Sequence, residues 1–151
     1  MRALVQRVSE ASVTASVDGG SPAVQTGRID RGLVVFVGIT HDDDASVAAR
    51  IAEKVWRLRV FDDEHGIPNR SCEDVGGGVL VISQFTLYAD ARRGRRPSYT
   101  QAARPEVAEP LVAVVQTRLQ ELGATVATGR FGMHMDVALV NDGPWTVMLE
   151  L

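Results

Sequence analysis

The sequence predicts an α/β protein in which a mixed, largely antiparallel sheet curls into an open barrel and two main helices pack on it. Many short segments show the alternation or the continuous apolar runs of β-strands, whereas only two show the spacing of long helices. The two kinds of segment do not alternate regularly along the chain, which argues against a Rossmann fold. With 151 residues and no internal repeat or linker, the chain is expected to form one domain over residues 1–151.

The first third of the chain is predicted to form strands. Residues 11–17 alternate valine and alanine with serine and threonine, while residues 2–8 alternate less cleanly because Arg7 falls among the apolar positions. Residues 18–22 combine Asp, Gly, Ser and Pro and indicate a turn. Residues 32–38 form a continuous apolar run between glycines, which is typical of a strand buried on both faces.

Two segments show the helical spacing of apolar residues. The first spans residues 44–58, and its acidic start lies where the helix dipole favours negative charge. Its apolar stripe consists of Val47, Ile51, Val55 and Leu58. The second spans residues 105–122, with Pro105 suited to the first helical position and Gly123 to the stop. Its expected apolar face consists of Val107, Leu111, Val114, Leu119 and Leu122. Pro110 should bend the first turns of this helix or move its start later.

Four further strands are expected in the second half of the chain. They cover residues 78–84 or beyond, 125–128, 135–140 and 146–151. Between the last two, residues 141–144 have the sequence Asn-Asp-Gly-Pro, which is a strong turn signal. The chain is therefore expected to finish as two strands joined by a turn.

Charge and cysteine content exclude several classes of protein. The net charge of −3 is not that of a polycation that coats nucleic acid, so such binding would need a local basic patch. Cys72 is the only cysteine, so no internal disulfide can form. Residues 1–7 lack the apolar stretch of a secretory signal, and no run approaches the ~20 apolar residues of a membrane span. These features predict a cytoplasmic protein that does not act at a membrane.

The familiar hydrolase motifs are absent from the sequence. It contains neither Gly-x-Ser-x-Gly nor His-Glu-x-x-His, and no Walker loop. His41 is interpreted as a residue of a polar loop and His65 as a residue of a surface turn. His134 and Asp136 supply only one pair of possible ligands, so no metal site is predicted. Cys72 has no neighbouring cysteine and is interpreted as an inert thiol.

A polar cluster follows the apolar run at residues 79–82. The cluster consists of Ser83, Gln84, Phe85 and Thr86. The turn after a strand leaves backbone N–H groups free to face a ligand, and each such donor stabilises a developing oxyanion by ~2.7–4 kcal/mol. The hydroxyls and the amide add further donors and acceptors. The alternative interpretation is that the two hydroxyls only satisfy neighbouring backbone groups.

Two other segments break the local pattern. Arg92, Arg93, Arg95 and Arg96 concentrate positive charge beside the polar cluster, and their planar guanidinium groups suit the phosphates of an RNA. The alternative is a solvated basic loop. The bond between Gly143 and Pro144 is a candidate cis peptide, because cis costs only ~0.5–1 kcal/mol at an X–Pro bond. The alternative is an ordinary trans turn between two strands.

These segments together resemble the D-aminoacyl-tRNA deacylase family over essentially the whole chain. The motifs that carry the resemblance include Arg-Ala-Leu-Val-Gln-Arg-Val-Ser at residues 2–9, Ser-Gln-Phe-Thr-Leu at 83–87, Gly-Arg-Arg-Pro-Ser at 94–98, Thr-Gly-Arg-Phe at 128–131 and Asn-Asp-Gly-Pro at 141–144. The combination of Ser-Gln-Phe-Thr with Asn-x-Gly-Pro-x-Thr is specific, whereas either motif alone is weak. The chain departs from the usual family sequence at Met133, His134 and Trp145, and residues 16–25 form a longer hairpin.

The resemblance implies a homodimeric hydrolase without a cofactor that cleaves the ester between a D-amino acid, or glycine, and the 3′ end of tRNA. It implies that residues 83–86 form the pocket around the scissile ester. It also implies that Gly143 and Pro144 are joined by a cis bond, enter the partner's pocket and reject L-amino acids by collision with backbone carbonyls. Arg92, Arg93, Arg95 and Arg96 are then the expected tRNA-binding residues.

The resemblance further implies substrate-assisted catalysis, in which the 2′-hydroxyl of the terminal adenosine helps to activate water. Thr86 is the tempting nucleophile, but no base accompanies it in the sequence. Two other functions remain open at this point. A non-catalytic RNA-binding module would use the arginines without cleaving an ester, and a small-molecule esterase would need neither the arginines nor a dimer.

Overall fold

We analysed a computed structural model of the chain, which describes residues 1–92 and 94–151. Its described part contains eight β-strands, three α-helices and one 3₁₀ helix, in the mixed α/β arrangement that the sequence predicts. In chain order the elements are β1 (Arg2–Ser16), β2 (Val24–Ile29), β3 (Gly32–Gly38), α1 (Ala45–Trp56), β4 (Phe61–Asp62), β5 (Pro68–Arg70), α2 (Cys72–Val75), β6 (Gly78–Ser83), the 3₁₀ helix (Phe85–Tyr88), α3 (Pro105–Glu121), β7 (Thr125–Thr128) and β8 (His134–Glu150).

The main sheet is so strongly curled that its two edge strands, β2 and β7, lie close to each other. Its strand order is β2-β1-β3-β6-β7, with β8 paired to the other side of β1. The β3–β6 and β6–β7 pairs are parallel, whereas β1 is antiparallel to β2, β3 and β8. Gly27 of β2 lies so close to β7 that a Cβ atom there would be 2.8 Å from the carbonyl oxygen of Thr128. The sheet is therefore a nearly closed barrel.

The N-terminal strand is longer than predicted. The sequence indicates two strands over residues 2–8 and 11–17, but the structure has the single strand β1. The two exposed residues Ser9 and Glu10 interrupt the side-chain alternation, whereas the pairing with β8 omits only Ser9 and continues at Glu10, which pairs with Val140. Side-chain burial changes at this point because the first half of β1 pairs with β3 and the second half with β2.

The buried strand β3 separates two apolar clusters. Leu33, Val35 and Val37 belong to the larger cluster, which contains buried residues of α1 and α3. Val34 belongs to a second cluster inside the curled sheet, and Phe36 packs against that cluster. The prediction that residues 32–38 are buried on both faces is confirmed, and the reason is that helices cover one face while the sheet itself covers the other.

Both long helices are confirmed, but the buried face of α3 differs from the prediction. In α1 the N-cap Asp44 accepts a hydrogen bond from the Val47 N–H at 2.9 Å. α3 begins at Pro105 and continues through Pro110. Its buried positions are Ala108, Val112, Val115 and Leu119. The predicted member Val107 is 44% exposed. The helix carries two neighbouring apolar rows, and packing against α1 and the sheet selects one of them.

Two predictions about strand ends are wrong. The strand predicted to run to residue 84 or beyond ends at Ser83, and a 3₁₀ helix follows. The hairpin predicted at residues 141–144 is absent, because β8 runs through this segment as one strand of 17 residues. Both halves of β8 pair with the same strand, β1. A hairpin at residues 141–144 would instead have turned the second half of β8 away from β1.

Three short strands carry no strong sequence signal. β2 contains a glycine and mostly exposed side chains, and the pair β4–β5 forms a small hairpin apart from the main sheet. Long-range pairing rather than local pattern creates them. In the described part of the chain, none of the helices has both the length and the apolar character that crossing a bilayer requires.

Candidate active site

A cavity of about 620 Å³ opens at the carboxyl end of β6. Its walls come from the ends of β3 and β6, from residues 99–108 and from residues 131–137. Ser83, Gln84 and Phe85, three members of the predicted polar cluster, line this cavity. A cavity of this size lies within the range of small-molecule binding sites in proteins.

Backbone pairing holds the polar cluster in place. Ser83 is the last residue of β6 and pairs with Val37 of β3. The Gln84 N–H donates to the Val37 carbonyl at 2.8 Å, so the chain stays attached to β3 as it leaves the sheet. The 3₁₀ helix then begins at Phe85. Because the strand end is tied to its neighbour, the residues facing the cavity have a defined backbone position.

The first two N–H groups of the 3₁₀ helix are free. Among the described residues, neither the Phe85 N–H nor the Thr86 N–H donates a hydrogen bond, whereas the Leu87 N–H donates to the Gln84 carbonyl at 3.2 Å. The first N–H groups of any helix lack partners within the helix. These two donors are thus available to an oxygen atom of a bound molecule.

Thr86 differs from the other members of the cluster, because its side chain does not line the cavity. Its hydroxyl oxygen instead accepts a hydrogen bond from the Gln84 side-chain amide. An amide does not titrate and cannot act as the general base that a threonine nucleophile requires. The position of the hydroxyl therefore argues against a nucleophilic role for Thr86.

An aromatic pair forms one side of the cavity mouth. The rings of Phe85 and Tyr99 meet edge to face, with centroids 5.1 Å apart, and they remain 55% and 41% exposed. The segment carrying Tyr99 is anchored to the loop after β3. The Thr40 hydroxyl donates to the Gln101 carbonyl at 2.7 Å, and His41 Nε2 lies 2.8 Å from the Thr100 carbonyl oxygen. The interpretation of His41 as a residue of a polar loop is confirmed.

Residues 131–135 also line the cavity, and two of them, Met133 and His134, depart from the usual family sequence. Phe131, Met133 and Met135 supply apolar surface, and His134 stands at the edge of the cavity. His134 Nε2 lies 3.4 Å from a carboxylate oxygen of Asp136. Within the described residues, no group of three or more His, Cys, Asp or Glu side chains is placed to hold a metal ion.

The single thiol lies away from the cavity. Cys72 is fully buried at the start of α2 and does not line the cavity. Burial raises the pKa of the Cys72 thiol to about 12, so it carries no thiolate at neutral pH. The interpretation of Cys72 as an inert thiol is consistent with this environment.

The arginine-rich segment forms an exposed loop outside the cavity. Arg92, Arg95 and Arg96 are exposed and do not line the cavity, and the predicted Arg93 lies outside the described residues. A bridge between Asp90 and Ser98 closes the base of the loop. Arg92 donates to both carboxylate oxygens of Asp90, at 2.9 and 2.7 Å, and these bonds lower the pKa of Asp90 to about 2.

Gly143 and Pro144 lie at a different place on the molecule. Val8 of β1 pairs with Asn141 and Gln6 pairs with Thr146, so the segment between them bulges out opposite a single residue, Arg7. The bond between Gly143 and Pro144 is cis, as the sequence suggests. Both residues are exposed, and neither lines the cavity of its own chain. Within one chain the two signature motifs therefore do not meet.

Arg7 holds this bulge, a role that the sequence alone does not reveal. It is only 6% exposed. Its Nε donates to the Asp142 carbonyl at 3.0 Å, and its Nη1 donates to the Val60 carbonyl at 2.6 Å. Its guanidinium carbon lies 5.7 Å from the centre of the Trp145 ring. The sequence feature that could have indicated this role is a charged residue at an inward-facing position of β1, on the same face of the strand as the buried Ala3 and Val5.

The chain is similar to known proteins over its whole length. The family model described as D-Tyr-tRNA(Tyr) deacylase matches residues 4–150. The D-aminoacyl-tRNA deacylase of Mycolicibacterium smegmatis is 58% identical, and the match covers 100% of both chains. That of Thermomicrobium roseum is 55% identical, with 99% of this chain and 94% of the relative covered.

Solved structures agree with the fold. The structure of the c-Myc DNA Unwinding Element Binding Protein superposes with a TM-score of 0.88 at 35% identity and covers 100% of this chain and 99% of that one. The structure of a probable eukaryotic D-amino acid tRNA deacylase superposes with a TM-score of 0.82 over 99% of this chain and 98% of that one. At 15% identity, this second likeness concerns the fold alone. From the family match and the identities, we conclude that the chain belongs to the D-Tyr-tRNA(Tyr) deacylase family and is a deacylase enzyme.

Proposed function

We propose that this protein hydrolyses the ester that joins a D-amino acid to the 3′ end of tRNA. Water adds to the ester carbonyl, the bond between the acyl carbon and the ribose oxygen breaks, and free D-amino acid and tRNA are released. The observation that carries the proposal is the cavity at the end of β6, which is lined by Ser83, Gln84 and Phe85 and has unpartnered N–H groups beside it. The reaction removes wrongly charged tRNA before translation, in the cytoplasm, and needs no cofactor.

Catalysis in this proposal relies on the backbone and on the substrate. The N–H groups of Phe85 and Thr86 hold the negative oxygen that develops when water attacks the ester. The 2′-hydroxyl of the terminal adenosine assists the attacking water. The contact between the Thr86 hydroxyl and the Gln84 amide supports this assignment, because it leaves the hydroxyl without a base.

Selection against L-amino acids is assigned to Gly143 and Pro144 of a second copy of the chain. Their carbonyls would approach the α-carbon and amine of the substrate and collide with an L side chain. Backbone atoms suit this task better than a side chain, since many different D residues must be accepted. Glycine has no side chain to collide, so glycyl-tRNA is also expected to be a substrate.

The surface around β8 supports a homodimer. Among the described residues, β8 pairs only with β1, which leaves its other edge open. Val140 and Met148, on either side of the bulge, are 53% and 48% exposed. An open edge with apolar side chains is a surface that a second chain can cover. In the proposed dimer of two 1–151 domains, each bulge completes the cavity of the partner.

The arginine loop is assigned to the tRNA backbone. Arg92, Arg93, Arg95 and Arg96 would contact phosphates outside the cavity, so tRNA binding should weaken steeply with salt. Arg92 is already paired with Asp90. We therefore expect Arg95 and Arg96 to contribute more to binding than Arg92.

One assay tests the proposed reaction against its alternatives. The protein is incubated with D-tyrosyl-tRNA, L-tyrosyl-tRNA and a simple D-tyrosine ester, and the release of tyrosine is measured. Hydrolysis of D-tyrosyl-tRNA alone is the expected result. Binding of tRNA without cleavage would instead indicate an RNA-binding module, and cleavage of the simple ester with equal efficiency would indicate a small-molecule esterase.

A further inference from the structure

Arg104 has a side chain at the cavity that the proposed reaction leaves without a role. It is exposed, lies one residue before α3 and lines the cavity. Among the described residues, its guanidinium group forms no ion pair and donates no hydrogen bond. Its backbone, by contrast, is well anchored, because its carbonyl accepts bonds from the N–H groups of Val107 at 3.0 Å and Ala108 at 2.9 Å. Arg104 thus has a defined backbone position and a guanidinium group that pairs with none of the described residues.

The cavity has an asymmetric charge. Among the described residues no acidic side chain lines it, and Arg104 is the one lysine or arginine there. Most other lining residues are apolar or small. Arginine remains charged at any physiological pH. The cavity therefore offers one permanent cation and no compensating carboxylate.

The charges of the proposed substrate match this arrangement in only one orientation. An aminoacylated tRNA end carries an α-ammonium group on the amino acid and a phosphate on the 5′ oxygen of the terminal nucleotide. A guanidinium group repels the ammonium and binds phosphate through paired N–H donors. We propose that Arg104 binds the 5′-phosphate of the terminal nucleotide and so directs the ester toward Phe85. This inference rests on the proposed function.

The proposed contact is separate from the arginine loop. Arg92, Arg95 and Arg96 do not line the cavity, and Arg92 is held by Asp90. Arg104 lines the cavity itself, which suits the phosphate of the terminal nucleotide, the one nearest to the ester. The loop is left to contact phosphates farther along the tRNA.

Two small substrates that differ by one phosphate test the inference. They are the 3′-D-tyrosyl ester of adenosine and the same ester of adenosine 5′-monophosphate. Wild-type protein should show a KM about tenfold lower for the phosphorylated ester, equivalent to about 1.4 kcal/mol, because the phosphate gains a charge-assisted hydrogen bond. In Arg104→Gln the two KM values should become equal, and Arg104→Lys should keep part of the difference. Arg50→Gln, the same charge loss on the exposed side of α1, should keep the full difference.

The outcomes separate this inference from the proposed function. Turnover of both esters with equal KM in the wild type, or an undiminished phosphate preference in Arg104→Gln, would overturn the role of Arg104 and leave the deacylase proposal intact. If tyrosine is released neither from D-tyrosyl-tRNA nor from either of the two esters, the deacylase proposal itself is refuted. If only the tRNA is cleaved, adenosine and adenosine 5′-monophosphate are compared as inhibitors, and equal inhibition constants would again overturn the inference.

Discussion

At the level of single residues, Arg7 shows how a buried charge is stabilised in this fold. Its donors meet the carbonyls of Val60 and Asp142, and its Nε also lies 3.0 Å from the Asp142 carboxylate. A buried guanidinium group is tolerated only when its donors find such partners. Arg7 thereby ties the chain before β4 to the bulge that contains Gly143. Together with the Asn141 side chain, which donates to the Arg7 carbonyl at 2.9 Å, it fixes the proposed selectivity segment to the rest of the protein.

Replacement of Arg7 should therefore cost more than replacement of an exposed arginine. Arg7→Met should lower the free energy of unfolding by about 3 kcal/mol, because the buried Val60 carbonyl and the partly buried Asp142 carbonyl each lose a charged donor. The measurement is urea denaturation at pH 7. Arg28→Met is the control, since Arg28 and its partner Glu10 are both 58% exposed and such pairs contribute about 1 kcal/mol or less. Equal losses in the two variants would contradict the role assigned to Arg7.

Phe85 allows the contribution of a backbone N–H to be measured separately from that of a side chain. Phe85→Pro removes both the ring and the N–H, whereas Phe85→Ala removes only the ring. Proline is accepted at the first position of a helix, where Phe85 stands. We expect kcat for D-tyrosyl-tRNA to be about 10²-fold lower in Phe85→Pro than in Phe85→Ala. Similar kcat values in the two variants would remove this N–H from the mechanism.

Thr86 is expected to be dispensable for the chemical step. Its hydroxyl does not line the cavity and its partner is an amide. Thr86→Ala should keep kcat within about tenfold of the wild type, whereas loss of a true nucleophile lowers kcat by several orders of magnitude. Single-turnover hydrolysis of D-tyrosyl-tRNA measures this difference. A folded but inactive Thr86→Ala protein would restore Thr86 as a catalytic residue.

At the level of elements, the β4–β5 hairpin depends on one carboxylate. Asp63 accepts hydrogen bonds from the N–H groups of His65 at 2.9 Å and Ile67 at 3.0 Å, and these bonds hold the turn. They also lower the pKa of Asp63 below its ordinary value of 3.8. The sequence indicates the turn at residues 63–66 but not the two short strands on either side.

The shifted pKa of Asp63 makes the stability of the protein depend on pH in the acid range. Because the folded-state pKa lies below the unfolded one, the unfolded chain binds more protons as the pH falls through about 4. The stabilisation is complete above that pH and is lost as the pH drops toward the folded-state pKa. Asp63→Asn keeps an acceptor oxygen but cannot titrate, so its unfolding free energy should fall less steeply between pH 4 and pH 2 than that of the wild type, in denaturation curves recorded at each pH. Parallel pH dependences would contradict this assignment.

At the level of the whole molecule, the two signature motifs lie on different surfaces of one chain. The cavity holds Ser83 and Phe85, while Gly143 and Pro144 project from the bulge of β8. A site that uses both motifs is complete only when a second chain supplies one of them. The proposed function therefore predicts that the quaternary structure decides whether the cavity can distinguish D- from L-amino acids.

The proposed dimer can be tested through the outward face of β8. Met148→Glu places a charge on this exposed apolar surface, and we expect it to weaken self-association by about tenfold or more in sedimentation equilibrium. Gln120→Glu, which adds the same charge at an exposed position of α3, should leave self-association unchanged. Loss of the dimer should also lower the discrimination against L-tyrosyl-tRNA. A wild-type protein that is monomeric at all concentrations would refute the dimer.

Local sequence patterns predicted the parts of the site that local interactions create. The apolar run of residues 79–82 followed by polar residues indicated a polar cluster at the carboxyl end of β6, and in the structure Ser83, Gln84 and Phe85 of this cluster line the cavity. The same pattern could not show that Thr86 turns away, because the 3₁₀ helix after the strand sets its direction. Arg104 gave no signal either, since its place at the cavity depends on how α3 packs against the sheet.

The sequence by itself determined the buried strand β3, the positions of α1 and α3, and the motifs that identify the family. Each of these depends on residues that are close together in the chain. Only the tertiary structure decided that β8 is one strand with a bulge and that Arg7 holds this bulge. Arg7 and Asp142 are 135 residues apart, and their contact arises from the pairing of the first and last strands. Local periodicity carries no information about such pairing, because the register between distant strands is set by packing of the whole sheet.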